Sequence, residues 1–244
     1  MKASEEIRDA LARVTELRQM ANVPGELAQA LQAVKHLQAQ RFAGTYPDLR
    51  ANPTFAPSTR FFLEELYSAK DYSDRDAQFA RLAGTIERTF PESVITTVRT
   101  LARLHRQTEE LDMAVAQVWA CNGHLNNPAR YLVAWRSVGQ RAERSWQLST
   151  VLDIGAALGR LTIKPGFRLL LKMMRRPAEM AGLGSLQAFL ESGFEHFSGI
   201  ARSGAVDSFL DTIRTRETAW INQLFDADPA TCEAELAMAI ERAA

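Results

Sequence analysis

Apolar side chains recur every three to four positions along almost the whole chain, and the alternating pattern of a half-buried strand is nearly absent. This spacing places apolar residues on one face of a helix, which then packs against other helices. The pattern predicts an all-α protein, a single compact multi-helix bundle of about ten helices. The predicted helices cover approximately residues 4–20, 25–43, 58–70, 73–90, 91–121, a segment beginning at Asn127, and then 141–162, 166–176, 185–200, 205–226 and 230–243.

Proline and glycine positions divide this pattern into two parts. We expect residues 1–45 to form an N-terminal helical hairpin and residues 46–244 to form the main bundle, with both packed as one domain. Residues 46–57 hold three of the nine prolines, so we expect one long irregular connection there. Farther along, Gly155 and Gly159 have the spacing that permits a close approach between two helices.

Charge is balanced overall but unevenly distributed. The chain has 29 basic and 29 acidic residues, which excludes a uniformly basic nucleic-acid binder. Residues 129–176 contain ten basic and two acidic side chains, a net charge of +8, whereas residues 177–244 contain four basic and eleven acidic ones, a net charge of −7. Two explanations stay open: the C-terminal helices neutralise the basic block within the molecule, or the block faces an anionic partner.

The two cysteines predict a reducing compartment. Cys121 and Cys232 lie far apart and fit no paired metal-ligand spacing, and a disulfide-based fold of this length would normally contain more cysteines. The N-terminus becomes acidic at once and has no apolar segment of the kind found in secretory signals. We therefore expect a cytoplasmic protein with at most peripheral membrane contact.

A ladder of polar residues lies beside the apolar face of the long helix at 91–121. His105, Thr108 and Asp112 follow one another at helical spacing along that edge. Such a ladder suits either a pocket for a small apolar or haem-like ligand or a buried histidine at a helix–helix contact, and the second is the more frequent arrangement. His196 is the other histidine that we consider for a ligand contact. No Glu-x-x-His pair occurs, which excludes the usual ferritin-like di-iron site.

Aromatic and charged residues are densest between residues 60 and 79. Three aspartates, Asp71, Asp74 and Asp76, lie within six positions there. We interpret Ser73 as the N-cap of the following helix, with Asp74 and Asp76 in its first turn offsetting the positive end of the helix dipole. This interpretation is preferred to a cation site, because an EF-hand loop would also need a glycine and a distal glutamate that are missing.

The same stretch carries a resemblance to a known family. Residues 61–67, 70–71, 75–79, 135–139 and 182–184 are similar to segments of a family of uncharacterised bacterial all-helical proteins, over roughly residues 40–225. The resemblance implies a helical fold and no particular activity. It marks several side chains as candidates for mutation, namely Asp71, Arg75, Asp76 and Gln78.

The sharpest amphipathic segment covers residues 166–176. Phe167, Leu170, Leu171 and Met174 share one helical face, and the basic residues fill the opposite arc. Basic amphipathic helices bind anionic membranes or acidic partners. The interpretation that we favour is a core helix whose basic face meets the acidic C-terminal helices. The candidate anion or membrane surface consists of Arg168, Lys172, Arg175 and Arg176.

No motif for nucleophilic catalysis is present, so the sequence favours a non-enzymatic protein. We expect a ligand- or partner-binding module of regulatory or scaffolding type, with the helical pocket and the peripheral membrane contact as alternatives. The partner is expected to be a protein or small molecule and not a specific nucleic acid, a homodimer is left open, and neither a cofactor nor a metal is assigned. The candidate ligand-binding residues are His105, Thr108, Asp112, Tyr67, Asp71, Arg75, Asp76, Gln78, Tyr131, Trp135 and Arg136.

Overall fold

A computed structural model describes residues 2–21, 25–63, 72–89 and 92–243 of the chain. These ranges contain twelve α-helices and no strand, so the predicted all-α class is confirmed. The helices are α1 (Ala3–Ala21), α2 (Glu26–Thr45), α3 (Pro47–Ala51), α4 (Ala56–Phe61), α5 (Ser73–Thr89), α6 (Glu92–Cys121), α7 (Asn127–Val138), α8 (Arg141–Thr162), α9 (Phe167–Met180), α10 (Gly184–Arg202), α11 (Val206–Asp226) and α12 (Pro229–Glu241).

Three local predictions differ from the structure. The expected irregular connection at 46–57 contains the short helix α3, with Pro47 at a helix start where its missing N–H costs no hydrogen bond. The N-cap of α7 is Asn126, one residue earlier than predicted, and its side chain accepts a hydrogen bond from the Ala129 amide. Helix α9 continues through Pro177 to Met180 instead of ending at residue 176. Asp228 is the N-cap of α12, and its side chain accepts a hydrogen bond from the Thr231 amide.

The long helix α6 organises the packing. Helices α1 and α2 both lie against it, together with α7 and α8. One apolar cluster joins α2, α6, α7 and α12 around Val34, Trp119 and Leu236, and a second joins α4, α8, α10 and α11 around Phe62, Phe197 and Phe209. The side chains of both clusters are almost fully buried, so these helices form the rigid part of the molecule.

Glycines set two of the closest helix crossings. A Cβ at Gly155 would lie 2.9 Å from Leu210 Cδ2, and one at Gly159 would lie 3.0 Å from Val206 Cγ1. These distances confirm that the pair lets α8 approach α11 closely. Gly44 serves the same purpose between α2 and α12, where a Cβ would meet the backbone of Ala239. The sequence pattern gave no indication of this third contact.

Candidate functional site

The predicted polar ladder of α6 forms part of a buried ionic network, which we call the central polar cluster. It consists of Arg18 on α1, Lys35 on α2, Asp76 on α5, and His105 and Glu109 on α6. Arg18 donates to Asp76 Oδ2 at 2.8 Å and to Glu109 Oε1 at 3.1 Å. Lys35 Nζ donates to Glu109 Oε2 at 2.7 Å. Four helices are therefore connected by charged groups within one contiguous cluster.

His105 is held inside this cluster by a carboxylate. Its Nε2 lies 2.8 Å from Asp76 Oδ2 and 3.3 Å from Arg18 Nη2. Since an ionised carboxylate only accepts hydrogen bonds, Nε2 carries a proton and donates a hydrogen bond to Asp76. Burial alone raises the pKa of Asp76, but the His105 hydrogen bond and the charges of His105, Arg18 and Arg75 outweigh burial and lower that pKa below its usual value.

Glu109 is the second buried acceptor of the cluster. Burial raises the pKa of its carboxyl. The charge and hydrogen bond of Lys35, together with the charge of Arg18, outweigh burial and lower the pKa below its usual value. Both acids are thus ionised and compensated at neutral pH. Such an arrangement suits a structural connection between helices, because each charged group already has a protein partner.

Asp112, one turn beyond Glu109, has a different environment. Its Oδ1 accepts a hydrogen bond from Gln38 at 3.1 Å, and the side chain is almost fully buried. Burial raises the pKa of Asp112, and the nearby charge of Glu109 adds to that effect, whereas Lys35 and Arg144 oppose it. Thr108 lies on the same ladder, and its hydroxyl accepts a hydrogen bond from Gln147 at 2.9 Å.

Tyr131, Trp135 and Arg136, the candidates on α7, have structural contacts. Tyr131 is buried, and burial raises the pKa of its hydroxyl. The guanidinium carbon of Arg144 lies 4.1 Å from the centre of the Trp135 ring. Arg136 donates to the carbonyl oxygens of Leu224 and Ala227 at 2.8 and 2.6 Å. These carbonyls lie at the C-terminal end of α11, so Arg136 caps that helix.

Of the described candidates at residues 75–78, Arg75 and Asp76 form an ion pair, with Arg75 Nε 3.6 Å from Asp76 Oδ1, whereas Gln78 has its contact elsewhere. Asp76 lies in the first turn of α5, as predicted, but it is buried there and belongs to the central polar cluster. Gln78 accepts a hydrogen bond from the Leu186 amide at 2.9 Å and connects α5 to the first turn of α10. Arg75 stacks on Tyr72 and Phe189. The candidates Tyr67 and Asp71 lie outside the described residues.

Sequence reasoning missed three members of the cluster. Glu109 lies four positions after His105 on the same helix, and this spacing was a signal that could have added it to the ladder. Arg18 and Lys35 approach from other helices, and their sequence positions carry no sign of the contact. Within residues 2–21, 25–63, 72–89 and 92–243, no group of three His, Cys, Asp or Glu side chains is arranged as a metal site requires.

A surface depression of about 320 Å³ lies between α6 and the start of α8. Arg103 and Arg106 line it together with Glu110 and Glu143. Two cations and two anions leave no net charge with which to select an ion. His196, the other histidine considered for a ligand, donates from Nδ1 to the Ser192 carbonyl oxygen at 2.6 Å on its own helix.

Helix α9 is the most exposed part of the bundle, and this corrects the favoured interpretation of residues 166–176 as a core helix. Only Phe167, Leu171 and Ala178 turn toward the protein, which they meet on α10 and α8. Leu169 is 62% exposed and Met173 is 68% exposed. Both the basic arc and most of the apolar arc of α9 therefore face outward.

The acidic C-terminal helices neutralise only part of the basic block. Arg141 pairs with Asp226 at 2.6 Å, and Arg175 pairs with Glu191 at 2.5 Å. Among the residues that the structure describes, Arg168, Lys172 and Arg176 make no ion pair. The first explanation offered by the sequence, neutralisation within the molecule, therefore holds for Arg141 and Arg175.

The fold and its exposed helix define a small all-helical protein in which Arg18 and Lys35 compensate the buried carboxylates Asp76 and Glu109. Residues 17–231 match the family described as a domain of unknown function, DUF8198, so the chain belongs to that family. This finding confirms membership of an uncharacterised family. No curated protein and no solved structure shows a significant match to the chain. None of the described helices is both long enough and apolar enough to cross a membrane.

Proposed function

We propose that this protein is a non-enzymatic binding module of regulatory or scaffolding type, and that α9 is its binding surface. The observation that carries the proposal is the concentration of exposed apolar side chains on and just before α9. The described chain exposes ten large hydrophobic residues, and six of them lie between residues 163 and 180. They are Ile163, Leu169, Leu170, Met173, Met174 and Met180.

A contiguous apolar surface of this kind costs free energy in water unless something covers it. Scattered single hydrophobic residues are ordinary on a protein surface, but a row of them on one helix marks an interaction site. Three of the six are methionines, whose flexible side chains adapt to varied apolar surfaces. The remainder of the bundle then acts as a rigid support that presents α9.

The contacts within the central polar cluster support a non-enzymatic role. A general acid or base must reach a substrate, and His105, Asp76 and Glu109 are each bonded to protein groups between packed helices. The same contacts favour a structural histidine over a haem ligand at His105, because its Nε2 is bonded to a carboxylate.

We also propose a reducing, cytoplasmic location. Both cysteines are free thiols, Cys121 exposed and Cys232 buried, and an exposed free thiol persists best where glutathione keeps it reduced. A bacterial origin rests on the resemblance of the segments at 61–79, 135–139 and 182–184.

Site-specific photocrosslinking in the cells that make the protein tests the binding surface. A photoreactive amino acid replaces Met173 on α9 or, as the matched control, Val133, an exposed apolar residue on α7. We expect protein or lipid adducts at position 173 that are absent at 133 and that disappear when Lys172→Glu and Arg176→Glu are added. Equal adducts at both positions, or none at 173, would contradict the proposal.

A further inference from the structure

We infer that the surface covered by α9 is an anionic lipid bilayer, on which the helix lies in the plane of the headgroups. This inference rests on the proposed function, since it names the partner of the same face. Its basis is the geometry of the helix: an exposed apolar arc bordered by cations that make no ion pair within the described chain.

The apolar arc of α9 is much wider than the part that the protein covers. At about 100° per residue, the covered residues Phe167, Leu171 and Ala178 span about 40°. The exposed apolar residues continue from that edge over about 160° more. These are Met174, Leu170, Pro177, Met173, Met180 and Leu169. The rest of the chain thus covers only one part of the apolar face of α9. The other part is free to contact a second apolar environment.

Cations follow directly on the outer edge of this arc. Arg176 is the neighbour of Leu169 around the helix and Lys172 comes next, while Arg168 follows after Glu179. These three make no ion pair within the described chain, whereas Arg175, which lies nearest the protein, is bound to Glu191. Long basic side chains can keep their charge at headgroup level while their stems lie along apolar surface. The cations that remain unpaired are therefore those best placed to meet lipid phosphates.

A second copy of the chain fits this face less well. A 14-residue helix is about 21 Å long and about 10 Å wide, so its footprint is roughly 200 Å². Stable protein interfaces bury about 800 Å² on each partner. Pairing of α9 with its own copy would also bring like charges together at Arg168, Lys172 and Arg176. A bilayer requires only partial insertion of one apolar face and attraction to its anionic headgroups.

The ends of α9 also keep it distinct from the bundle. Gly166 and Gly182 bracket the helix with φ angles of +80° and +67°, which L side chains rarely adopt. Nothing lies within 4 Å of the Cβ position of Gly166. The chain therefore turns sharply into and out of α9, and Ile163 and Lys164 before it extend the apolar and basic surface.

Co-sedimentation of the full chain with vesicles tests the inference. The probes are vesicles of phosphatidylcholine alone and of an equal mixture with phosphatidylglycerol, at low and high salt. We expect binding to the anionic vesicles and at least about tenfold weaker binding to neutral ones, because each cation near an anionic leaflet contributes about fivefold in affinity. High salt should weaken binding to the anionic vesicles.

Two double variants separate the charged and apolar contributions. Lys172→Glu with Arg176→Glu should reduce anionic-vesicle affinity at least about tenfold, whereas Arg50→Glu with Arg88→Glu, which changes the total charge equally at exposed sites elsewhere, should retain most of it. Leu170→Ser with Met173→Ser should abolish binding, and its control is Val133→Ser with Met238→Ser. Circular dichroism and a thermal melt establish that each variant is folded.

The outcomes distinguish this inference from the proposed function. Binding that is equal on neutral vesicles, or that survives both α9 variants, overturns the lipid assignment. Absence of vesicle binding together with specific crosslinking at position 173 overturns the lipid assignment alone and identifies a protein as the partner. If light scattering shows a dimer that Leu170→Ser with Met173→Ser disrupts, a second copy covers the face and the lipid assignment is wrong.

Discussion

Arg175 of α9 donates from Nε and Nη2 to both carboxylate oxygens of Glu191 on α10, at distances between 2.5 and 3.2 Å. Gln187 adds a hydrogen bond to the Leu171 carbonyl at 2.8 Å. Both contacts lie along the inner edge of α9. The helix is therefore attached to the bundle along one edge, and its apolar arc remains uncovered.

Replacement of Arg175 by Gln tests the strength of this attachment. The Arg175 side chain is exposed, so we expect little change in the free energy of unfolding. Backbone amides of α9 should exchange faster, and those of α8 should not change, as measured by hydrogen exchange and mass spectrometry. Arg214→Gln, whose partner Asp211 lies on the same helix, is the control. A loss of several kcal/mol would show that α9 belongs to the core.

Asp76→Asn tests the central polar cluster. The variant removes the buried negative charge that faces His105 and leaves Arg18 with Glu109 alone, so we expect a loss of about 3 kcal/mol in the free energy of unfolding. Urea denaturation measures this loss. Asp153→Asn, an exposed carboxylate on α8, should change stability by less than about 0.5 kcal/mol. Equal effects of the two substitutions would mean that the cluster contributes nothing to folding.

Asp112→Asn tests the pH dependence of a buried acid whose pKa is raised. The folded protein holds this proton more tightly than the unfolded chain, so the native chain loses stability relative to the variant as pH rises from 3.8 through the raised pKa. The free energy of unfolding of Asp112→Asn, measured relative to that of the native chain, should therefore rise with pH over that window and then stay constant. Urea denaturation at a series of pH values measures it.

Glu109→Gln should show the opposite pH dependence of stability. Its carboxyl has a lowered pKa in the folded protein, so it contributes stability above 4.5 that is lost as pH falls through the folded pKa. The free energy of unfolding of this variant should lie furthest below that of the native chain at neutral pH. The difference between the two should shrink in acid. Parallel pH profiles for the two variants would refute the assigned environments.

Gly44→Ala tests the crossing of α2 and α12. The new Cβ would lie 1.7 Å from the Ala239 carbonyl oxygen, so one helix must shift. We expect a loss of about 3 kcal/mol in the free energy of unfolding. Gly199→Ala, in α10, meets nothing within 4 Å and should gain up to about 1 kcal/mol from the higher helix propensity of alanine. A neutral Gly44→Ala would contradict the described crossing.

The fold was largely predictable from the sequence, because helical periodicity is a local property of the chain. The ladder of His105, Thr108 and Asp112 was predictable for the same reason, since its members share one helix. Asp76 was not, because its partners Arg18 and His105 are 58 and 29 residues away. Only tertiary packing decides whether a carboxylate in the first turn of a helix faces solvent or another helix.

The exposure of α9 was beyond sequence analysis for a related reason. Periodicity shows that an apolar face exists, but not how much of it the rest of the chain covers. The excess of acidic residues at 177–244 favoured a charge-paired core helix, whereas Arg175 is the one basic residue of 168–176 with an ion pair in the described structure. Asp226 forms an ion pair with Arg141 instead.

Methionine oxidation by hydrogen peroxide, followed by mass spectrometry, tests the binding role of α9 most directly and needs no mutation. In the free protein, Met173 and Met180 should oxidise rapidly and the buried Met113 slowly. Anionic vesicles should protect Met173 and Met180 and leave Met20 and Met238, exposed on other helices, fully reactive. Slow oxidation of Met173 in the free protein, or equal protection of Met20, Met173, Met180 and Met238 by vesicles, would contradict the account.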